Sequence, residues 1–565
     1  MEKIIIYQML PRIFGNTNTT RKHNGTIAEN GSGKFYDIDG IALNRIRNLG
    51  CTHVWFTGVL RHATSTDYTF YGIPANHPAV VKGKAGSPYA IADYYDVDPD
   101  LAVKVNKRMM EFHRLVERTH KAGLKVIIDF VPNHVAREYH SICCPKGVRD
   151  LGADDNKDWH FSPKNNFYYC WGMPFTPSID LGHDSDGKAV EPYCEFPAKA
   201  TGNDVFSASP GLNDWYETVK LNYGIDYCDA GGRSEHFFGL DGKPLPNTWY
   251  KMTEILLFWA EKGVDAFRCD MAEMVPTAFW SYATSMVKEA YPNIVFIGEV
   301  YDPKQYRRYI ASGFDYLYDK VGMYDTLRNV VCGNDSAANI TRKWQETDDI
   351  RNHMLYFLEN HDEQRIGSDF FAGDPWRAIP ALIVSTLLGT NPFMLYAGEE
   401  FGEKGMDEEG FSGKDGRTTI FDYWSIDSLR KGFFARREMT KEDKAIEKIH
   451  SLILNIAVSQ KAVTEGLSYD LMYANPMSAR FDATKIFTFL RKAGKESLFV
   501  VTNFAAEDKD VEIDIPLHAF EYLHMEPGNK KAIDLISGRI INIALYPETP
   551  VSLSVPAYSG LVLKF

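Results

Sequence analysis

One local pattern recurs along the chain: a helix-like stretch ends in glycine, and a short apolar run follows that itself ends in polar residues. The pattern occurs around Gly50, Gly123, Gly263 and Gly389, for example as THKAGLKVIIDFVPNH. Glycine readily adopts the left-handed conformation that ends many helices. Continuously apolar strands are typical of parallel sheets that are covered on both faces. The alternation of helix and buried strand therefore predicts βα units and an α/β fold.

Eight apolar runs can serve as the parallel strands, which is the number that a closed (β/α)8 barrel, the TIM barrel, requires. An open doubly wound sheet is the alternative, but the chain has no G-x-G-x-x-G turn of the type found in such sheets. We therefore predict a TIM barrel. The expected strands are Ile4–Gln8, His53–Phe56, Lys125–Asp129, Ala266–Arg268, Ile294–Ile297, Tyr316–Tyr318, Met354–Leu358 and Phe393–Tyr396.

Two regions depart from this rhythm. A long stretch rich in Asn, Asp, Gly, Pro and aromatic residues separates the third strand from the fourth. Because a structureless loop of that length is implausible in a compact domain, we expect an inserted subdomain there. After about Asn455 the apolar residues alternate, as in KIFTFLRK and VSLSVP, which predicts a C-terminal antiparallel β-sandwich. The predicted domains are a barrel from 1–135 and 230–450, an inserted subdomain from 136–229 and a sandwich from 455–565.

The net charge and the cysteine spacing indicate which partners and which cellular location to expect. The chain has 62 basic and 75 acidic residues, a formal charge of −13, and no dense basic run, so a nucleic-acid partner is not expected. No apolar stretch is long enough to span a membrane. The eight cysteines show no C-x-x-C spacing and the N-terminus does not resemble a signal peptide, so we expect a cytoplasmic protein. A secreted or periplasmic location stays open if a leader has been removed, and the oligomeric state is not readable.

Acidic residues follow three separate strands of the predicted barrel. Functional side chains of TIM barrels stand at the carboxyl ends of strands, where this chain places Asp270, Glu299 and Asp362. Cleavage of a glycosidic bond needs one carboxyl to protonate the leaving oxygen and a second to attack or to activate water. A single acid could equally be a helix cap or an ion-pair partner. Three acids at matching strand ends predict a site for carbohydrate chemistry.

The segments around these acids resemble the conserved motifs of the α-amylase family, the family 13 glycoside hydrolases. DFVPNH at 129–134, GVDAFRCD at 263–270, IGEV at 297–300 and ENHD at 359–362 resemble its four main motifs in order. PGLN at 210–213 and GTNPFMLYAGEE at 389–400 resemble the motifs of its inserted B subdomain and eighth strand. The resemblance implies the same barrel, B subdomain and C-terminal sandwich.

The resemblance also implies a role for each acid. Asp270 would be the nucleophile, Glu299 the general acid and then the general base, and Asp362 the residue that holds the sugar hydroxyls and favours the transition state. Arg268 stands two residues before Asp270, so both side chains share one face of the strand. A guanidinium there is expected to keep Asp270 ionised.

Further positions match the family's substrate contacts. His134 and His361 would donate hydrogen bonds to the sugar, and Tyr89 would stack on it. The family's structural calcium would use Asn133, with Asp154, Asp155 and Asp158 as further oxygen donors. No organic cofactor is implied.

At two places the sequence departs from the family's pattern in a way that bears on substrate specificity. Ala90 follows Tyr89 where many exo-acting glucosidases have Asp, and Glu273 and Met274 replace the Lys-His pair of many α-amylases. We therefore predict a retaining hydrolase of starch-type glucans or maltooligosaccharides. A transglycosylase with the same site is one alternative, and a non-catalytic carbohydrate-binding protein is another. The preference for α-1,4 or α-1,6 bonds and for endo or exo action stays open.

Overall fold

The computed structural model of the protein describes residues 3–237, 244–410 and 413–565, and its centre is a closed barrel of eight parallel strands. The first strand pairs with both the second and the eighth, which closes the barrel. This confirms the predicted TIM barrel, and each strand lies within one residue of its predicted bounds. The strands are β1 (Ile5–Met9), β2 (His53–Phe56), β3 (Lys125–Phe130), β4 (Ala266–Cys269), β5 (Val295–Gly298), β6 (Tyr316–Tyr318), β7 (Met354–Phe357) and β8 (Phe393–Tyr396).

Both faces of the barrel wall are buried, which explains why its strands are continuously apolar. Every strand contributes at least one buried side chain to a common cluster inside the barrel, while alternate residues such as Val54, Ile128 and Phe267 join the larger core against the helices. The interior cluster includes Ile6, Trp55, Ile127, Ala266, Ile297, Tyr318, Leu355 and Met394.

Helices surround the barrel, and several end where the glycine pattern predicts. Gly50, Gly123 and Gly263 have φ angles of 111°, 78° and 88°, in the region that ends helices. Gly389 was expected to do the same, and it also follows its helix by two residues, but its φ is not in the left-handed region, so that part of the prediction is wrong. The main helices are Gly40–Leu49, Arg108–Lys121, Asn247–Glu261, Thr277–Ala290, Tyr306–Ala311, Asp325–Cys332, Ala338–Glu346, Ile379–Leu387 and Lys441–Ser459. Among the described residues, no helix has the length and apolar character needed to cross a membrane.

The stretch between β3 and β4 contains short antiparallel pairs in place of a long loop. His134–Ala136 pairs with Thr218–Lys220, which fastens the end of this stretch back onto its beginning. Tyr169–Cys170 pairs with Ala198–Lys199. These ladders lie directly after β3, so the inserted stretch adjoins the carboxyl ends of the barrel strands. Its boundaries at 136 and 229 stay a prediction.

The C-terminal region is antiparallel, as predicted. Six strands form one sheet in the order β9-β10-β11-β16-β13-β14, and β12 pairs with β15. The predicted start at residue 455 falls inside the helix Lys441–Ser459, and the first strand of the sheet begins at Leu467. The strands are β9 (Leu467–Asp470), β10 (Ile486–Ala493), β11 (Glu496–Asn503), β12 (Lys509–Ile513), β13 (Gly528–Asp534), β14 (Ile540–Leu545), β15 (Val551–Val555) and β16 (Ser559–Lys564).

Arg491 of β10 connects this sheet to the barrel. Its buried guanidinium donates hydrogen bonds to the main-chain oxygens of Leu388 at 2.8 Å, Ala462 at 2.9 Å and Val463 at 2.7 Å. Leu388 follows a barrel helix, and the other two carbonyls belong to the short helix Lys461–Thr464. The last carbonyls of a helix lack partners within it, so a buried cation there satisfies them.

Replacing Arg491 by Met should lower the free energy of unfolding by about 3 kcal/mol, since several buried carbonyl oxygens lose their donor. Denaturant unfolding followed by circular dichroism measures the change. Arg480→Met is the matched control, because Arg480 is exposed and only pairs with Glu512 at the surface. Equal losses in the two variants would contradict the assigned role of Arg491.

Candidate active site

The side chain of Arg268 lies at the centre of the barrel mouth and contacts three carboxylates. One terminal nitrogen lies 2.7 Å from Asp270 and 3.4 Å from Asp129, and the other lies 2.8 Å from Glu299. Arg268 and Asp129 are register partners on the adjacent strands β4 and β3. Asp270 and Glu299 directly follow β4 and β5. The structure thus brings together two of the three predicted catalytic acids and the predicted arginine.

Two further groups position the carboxylate of Glu299. The main-chain N–H of Met271 donates to one oxygen at 2.8 Å, and the hydroxyl of Tyr301 donates to the other at 2.7 Å. Met271 has a φ of 43°, in the left-handed region that residues other than glycine rarely adopt. In this strained conformation its N–H points toward Glu299. The sequence analysis missed both contacts, although the position of Tyr301 two residues after Glu299 was a signal for one of them.

Asp362 lies beside His361 after β7. Nε2 of His361 is 3.1 Å from Asp362 and 2.5 Å from the hydroxyl of Tyr89, while Nδ1 is 2.7 Å from the side-chain nitrogen of Gln8. The rings of Tyr89 and His361 stack with centroids 5.3 Å apart. The structure therefore places Tyr89, His361 and Asp362 in one group, and Gln8 at the end of β1 is a contact that sequence reasoning missed.

His134 forms the other wall next to the inserted stretch. It is buried, and its ring lies 5.5 Å from that of Trp215. Its Nδ1 is 3.2 Å from the side-chain nitrogen of Asn133. Burial lowers the pKa of His134 to about 3, so the imidazole is neutral at physiological pH.

Burial dominates the electrostatics of the acids. It raises the pKa of Asp270 well above its ordinary value, and Arg268 opposes that rise without cancelling it. Burial also raises the pKa of Asp129 to about 6 and that of Asp362 to about 7, with the charge of Glu299 adding to the shift of Asp362. Arg268 was expected to keep Asp270 ionised, and its contribution to the pKa of Asp270 has that direction, while desolvation acts against it.

Comparison with known proteins agrees with the arrangement of these acids at the mouth of the barrel. A family model described as the alpha-amylase catalytic domain matches residues 8–183 and 244–455. This chain belongs to the α-amylase family. As such it is a glycoside hydrolase of the α-amylase type.

Individual relatives are distant. Neopullulanase 2 of Thermoactinomyces vulgaris is 22% identical over 589 residues, which cover 100% of this chain and 77% of that protein. An α-1,4-glucan:maltose-1-phosphate maltosyltransferase of Cereibacter sphaeroides is 35% identical over 86 residues, 15% of this chain and 14% of that protein. A crystal structure of a maltogenic α-amylase from Thermotoga neapolitana has a TM-score of 0.63 at 18% identity and covers 100% of this chain and 98% of its own. That structural similarity establishes the fold.

The calcium site that the α-amylase family implies does not fit the residues around Asn133. The side-chain oxygen of Asn133, which would bind the ion, accepts a hydrogen bond from Nζ of Lys220 at 2.5 Å. The same ammonium lies 2.6 Å from Asp204. A divalent cation beside this ammonium would be repelled by it.

The other predicted calcium ligands are engaged elsewhere or lie at the surface. Asp154 pairs with Arg149, and Asp158 is exposed. Asp155 accepts hydrogen bonds from the main-chain N–H groups of Asn166 at 2.7 Å and Phe167 at 3.0 Å. These contacts supply ordinary structural roles for two of the acids.

Glu273 and Ala90, two of the residues at which the sequence departs from the family's pattern, lie close to the acids. Glu273 accepts hydrogen bonds from the main-chain N–H groups of Tyr301 at 2.7 Å and Asp302 at 3.2 Å, so it holds the loop after β5 in place. Ala90 is buried in a small cluster with Ala63, Val81, Ala92 and Ala136. Glu273 thus supports the segment that carries Tyr301, a role that its position in the sequence did not reveal.

The raised pKa of Asp362 predicts how stability varies with pH. An unfolded aspartate titrates near pH 4, so a folded-state pKa of about 7 means that wild-type stability is lost as the pH rises from about 4 through 7. Asp362→Asn removes this charge, and its melting temperature should exceed that of the wild type by a margin that grows over this range and then levels off.

Differential scanning fluorimetry from pH 4.5 to 8.5 measures that margin. Asp510→Asn, at an exposed position of the C-terminal sheet, is the control and should give a flat difference. A difference for Asp362→Asn that is flat or that shrinks with pH would show that the carboxyl is not held in a desolvated site.

Proposed function

We propose that this protein hydrolyses α-glucosidic bonds of starch-type glucans or maltooligosaccharides with retention of configuration. The observation that carries the proposal is that adjacent nitrogens of one guanidinium, Arg268, lie 2.7 Å from Asp270 and 2.8 Å from Glu299. Sharing one cation favours the short carboxyl spacing of retaining enzymes, about 5–5.5 Å, over the wider gap that admits a water molecule in inverting ones.

In the first step a carboxylate oxygen of Asp270 attacks the anomeric carbon, and protonated Glu299 gives its proton to the leaving glycosidic oxygen. This forms a glycosyl ester on Asp270 and releases the shortened glucan. In the second step ionised Glu299 takes a proton from water, the water oxygen attacks the anomeric carbon, and the ester bond breaks. Arg268 stays charged throughout and balances the negative charge that moves between the two acids.

The remaining residues bind the sugar whose bond is cleaved. Nε2 of His361 can donate to a sugar hydroxyl that takes the place of its contact with Tyr89 or Asp362, and Asp362 can accept from a sugar hydroxyl. His134, which contacts the main chain of Tyr89, supplies a second neutral imidazole. Tyr89 offers its ring face to the sugar beside His361. No step of this scheme requires a metal ion or an organic cofactor.

The substrate class rests on the relatives that match most of the chain. These include a neopullulanase and several α-amylases, which supports α-linked glucans as substrates. A cytoplasmic location stays a prediction, and it would favour short maltooligosaccharides over intact starch.

Transglycosylation is the second candidate. The local similarity to a maltosyltransferase supports it, since the same glycosyl ester can pass to a sugar hydroxyl in place of water. A non-catalytic binding protein is disfavoured because all three acids are present.

The test is product analysis with maltoheptaose, soluble starch, pullulan and a cyclodextrin. The wild type should release short maltooligosaccharides of α configuration, and Asp270→Asn and Glu299→Gln should lower kcat by a factor of about 10³ or more because each removes an essential group. Chromatography measures the products, and proton NMR at early times measures the anomer.

Asp510→Asn is the control for a change of charge without a change of site, and it should keep wild-type activity. Accumulation of longer products would favour transglycosylation. Initial release of the β anomer, or full activity in Asp270→Asn, would refute the proposed mechanism.

A further inference from the structure

A buried lysine occupies the position where the α-amylase family resemblance predicted calcium. Lys220 is 2% exposed, and its Nζ lies 2.5 Å from Oδ1 of Asn133 and 2.6 Å from a carboxylate oxygen of Asp204. The main-chain oxygen of Met274 is 3.5 Å away. Oxygen atoms of an amide, a carboxylate and a main-chain carbonyl are the donors that hard cations such as calcium prefer.

The residues around this ammonium come from both the inserted stretch and the barrel. Lys220 belongs to the inserted stretch and is the direct cross-strand partner of His134, so both side chains project from the same face of that ladder. Asn133 follows β3, and Met274 follows β4. The ammonium therefore connects the inserted stretch to the loops that carry the proposed active site.

We propose that the Lys220 ammonium is a built-in cation that replaces bound calcium and positions Asn133 and His134 for sugar binding. Its charge fixes the direction of the Asn133 amide. With the amide oxygen bound to Nζ, the amide nitrogen donates to the main-chain oxygen of Gly202 at 2.7 Å and faces Nδ1 of His134 at 3.2 Å.

The direction of that amide acts together with the main-chain oxygen of Tyr89, which also accepts a hydrogen bond from this ring, in setting which nitrogen of His134 carries the proton. A donor facing Nδ1 makes Nδ1 an acceptor, which leaves the proton on Nε2. His134 can then donate from Nε2 to a sugar hydroxyl. If the amide turned over, its oxygen would face Nδ1 and the other tautomer would be favoured. Lys220 is thus a positioning residue that acts through Asn133.

Gly202 shows how closely the inserted stretch packs against His134. A Cβ atom at Gly202 would lie 2.9 Å from Cβ of His134 and 2.6 Å from the hydroxyl of Thr218. Asp204, two residues further on, pairs with Lys220. The segment 202–204 is therefore fastened to both Asn133 and Lys220, and any loss of the cation frees the segment that covers His134.

The first experiment compares thermal unfolding of the wild type in a chelator and in added calcium chloride. The melting temperature should be the same in both, because the site already holds its cation. This readout needs no activity, so it stands even if the proposed hydrolysis fails. A melting temperature that drops in the chelator and returns with calcium would overturn the proposal.

The second experiment compares Lys220→Met with Lys251→Met. Lys251 is also buried and donates to a side-chain amide oxygen, that of Asn166 at 2.9 Å, so it is a matched control outside the site. Both variants should have a lower melting temperature than the wild type, because each substitution leaves buried oxygen acceptors without a donor. Only Lys220→Met should lower kcat/KM, by roughly tenfold or more, since misplacement of a substrate-binding group is costly.

The third experiment, which rests on the proposed function, is a double-mutant cycle with His134→Ala. If Lys220 acts through His134, Lys220→Met should cost much less in kcat/KM when His134 is already absent. An equal cost in both backgrounds would refute positioning of His134. An equal loss of kcat/KM in Lys220→Met and Lys251→Met would also overturn the proposal, since it would reduce Lys220 to a general structural contact.

Discussion

The contacts of Arg268 make the candidate site physically possible. Three carboxylates, those of Asp129, Asp270 and Glu299, lie within 3.4 Å of a single buried guanidinium. Removal of charged groups from water is expensive, and buried like charges repel one another. The guanidinium also lies over the rings of Trp55 and Tyr89, at 5.1 Å and 5.4 Å from their centroids. Those rings stabilise the cation and exclude the water that would otherwise screen it.

The balance between burial and ion pairing sets the chemistry of the acids. Arg268 does not hold the pKa of Asp270 low; desolvation still raises it, and Asp362 rises to about 7. Burial favours the neutral forms of Asp270 and Asp362, whereas the Arg268 guanidinium favours the ionised form of Asp270 that nucleophilic attack requires. The strained backbone of Met271 contributes to this balance, because its N–H stabilises negative charge on Glu299.

The part of the site that follows strand periodicity was predictable from the sequence. Arg268 and Asp270 lie two residues apart, and the acids follow short apolar runs, so a barrel brings them to one end. Contacts between distant loops were not predictable. Gln8 and His361 are 353 positions apart, and neither has a local pattern that points to the other. The strand Gly528–Asp534 was missed because most of its side chains are polar and face solvent. Gly389 follows its helix at the same spacing as Gly123 and Gly263, but it does not adopt their left-handed conformation.

The residues around Asn133 do not fit the predicted calcium ion, for a reason that a local motif cannot contain. DFVPNH at 129–134 specifies an amide oxygen pointing out of the barrel wall, but it does not specify the cation that this oxygen meets. That cation comes from Lys220, which reaches Asn133 because Thr218–Lys220 pairs with His134–Ala136. A bound metal ion can leave the protein, whereas a lysine is present whenever the inserted stretch is folded. On this interpretation the geometry of the sugar-binding wall depends on the folding of the insert and not on the supply of calcium. Arg268 inside the barrel and Lys220 at its edge then serve related purposes, since each uses a side-chain cation to fix the oxygen and nitrogen atoms that the substrate will meet.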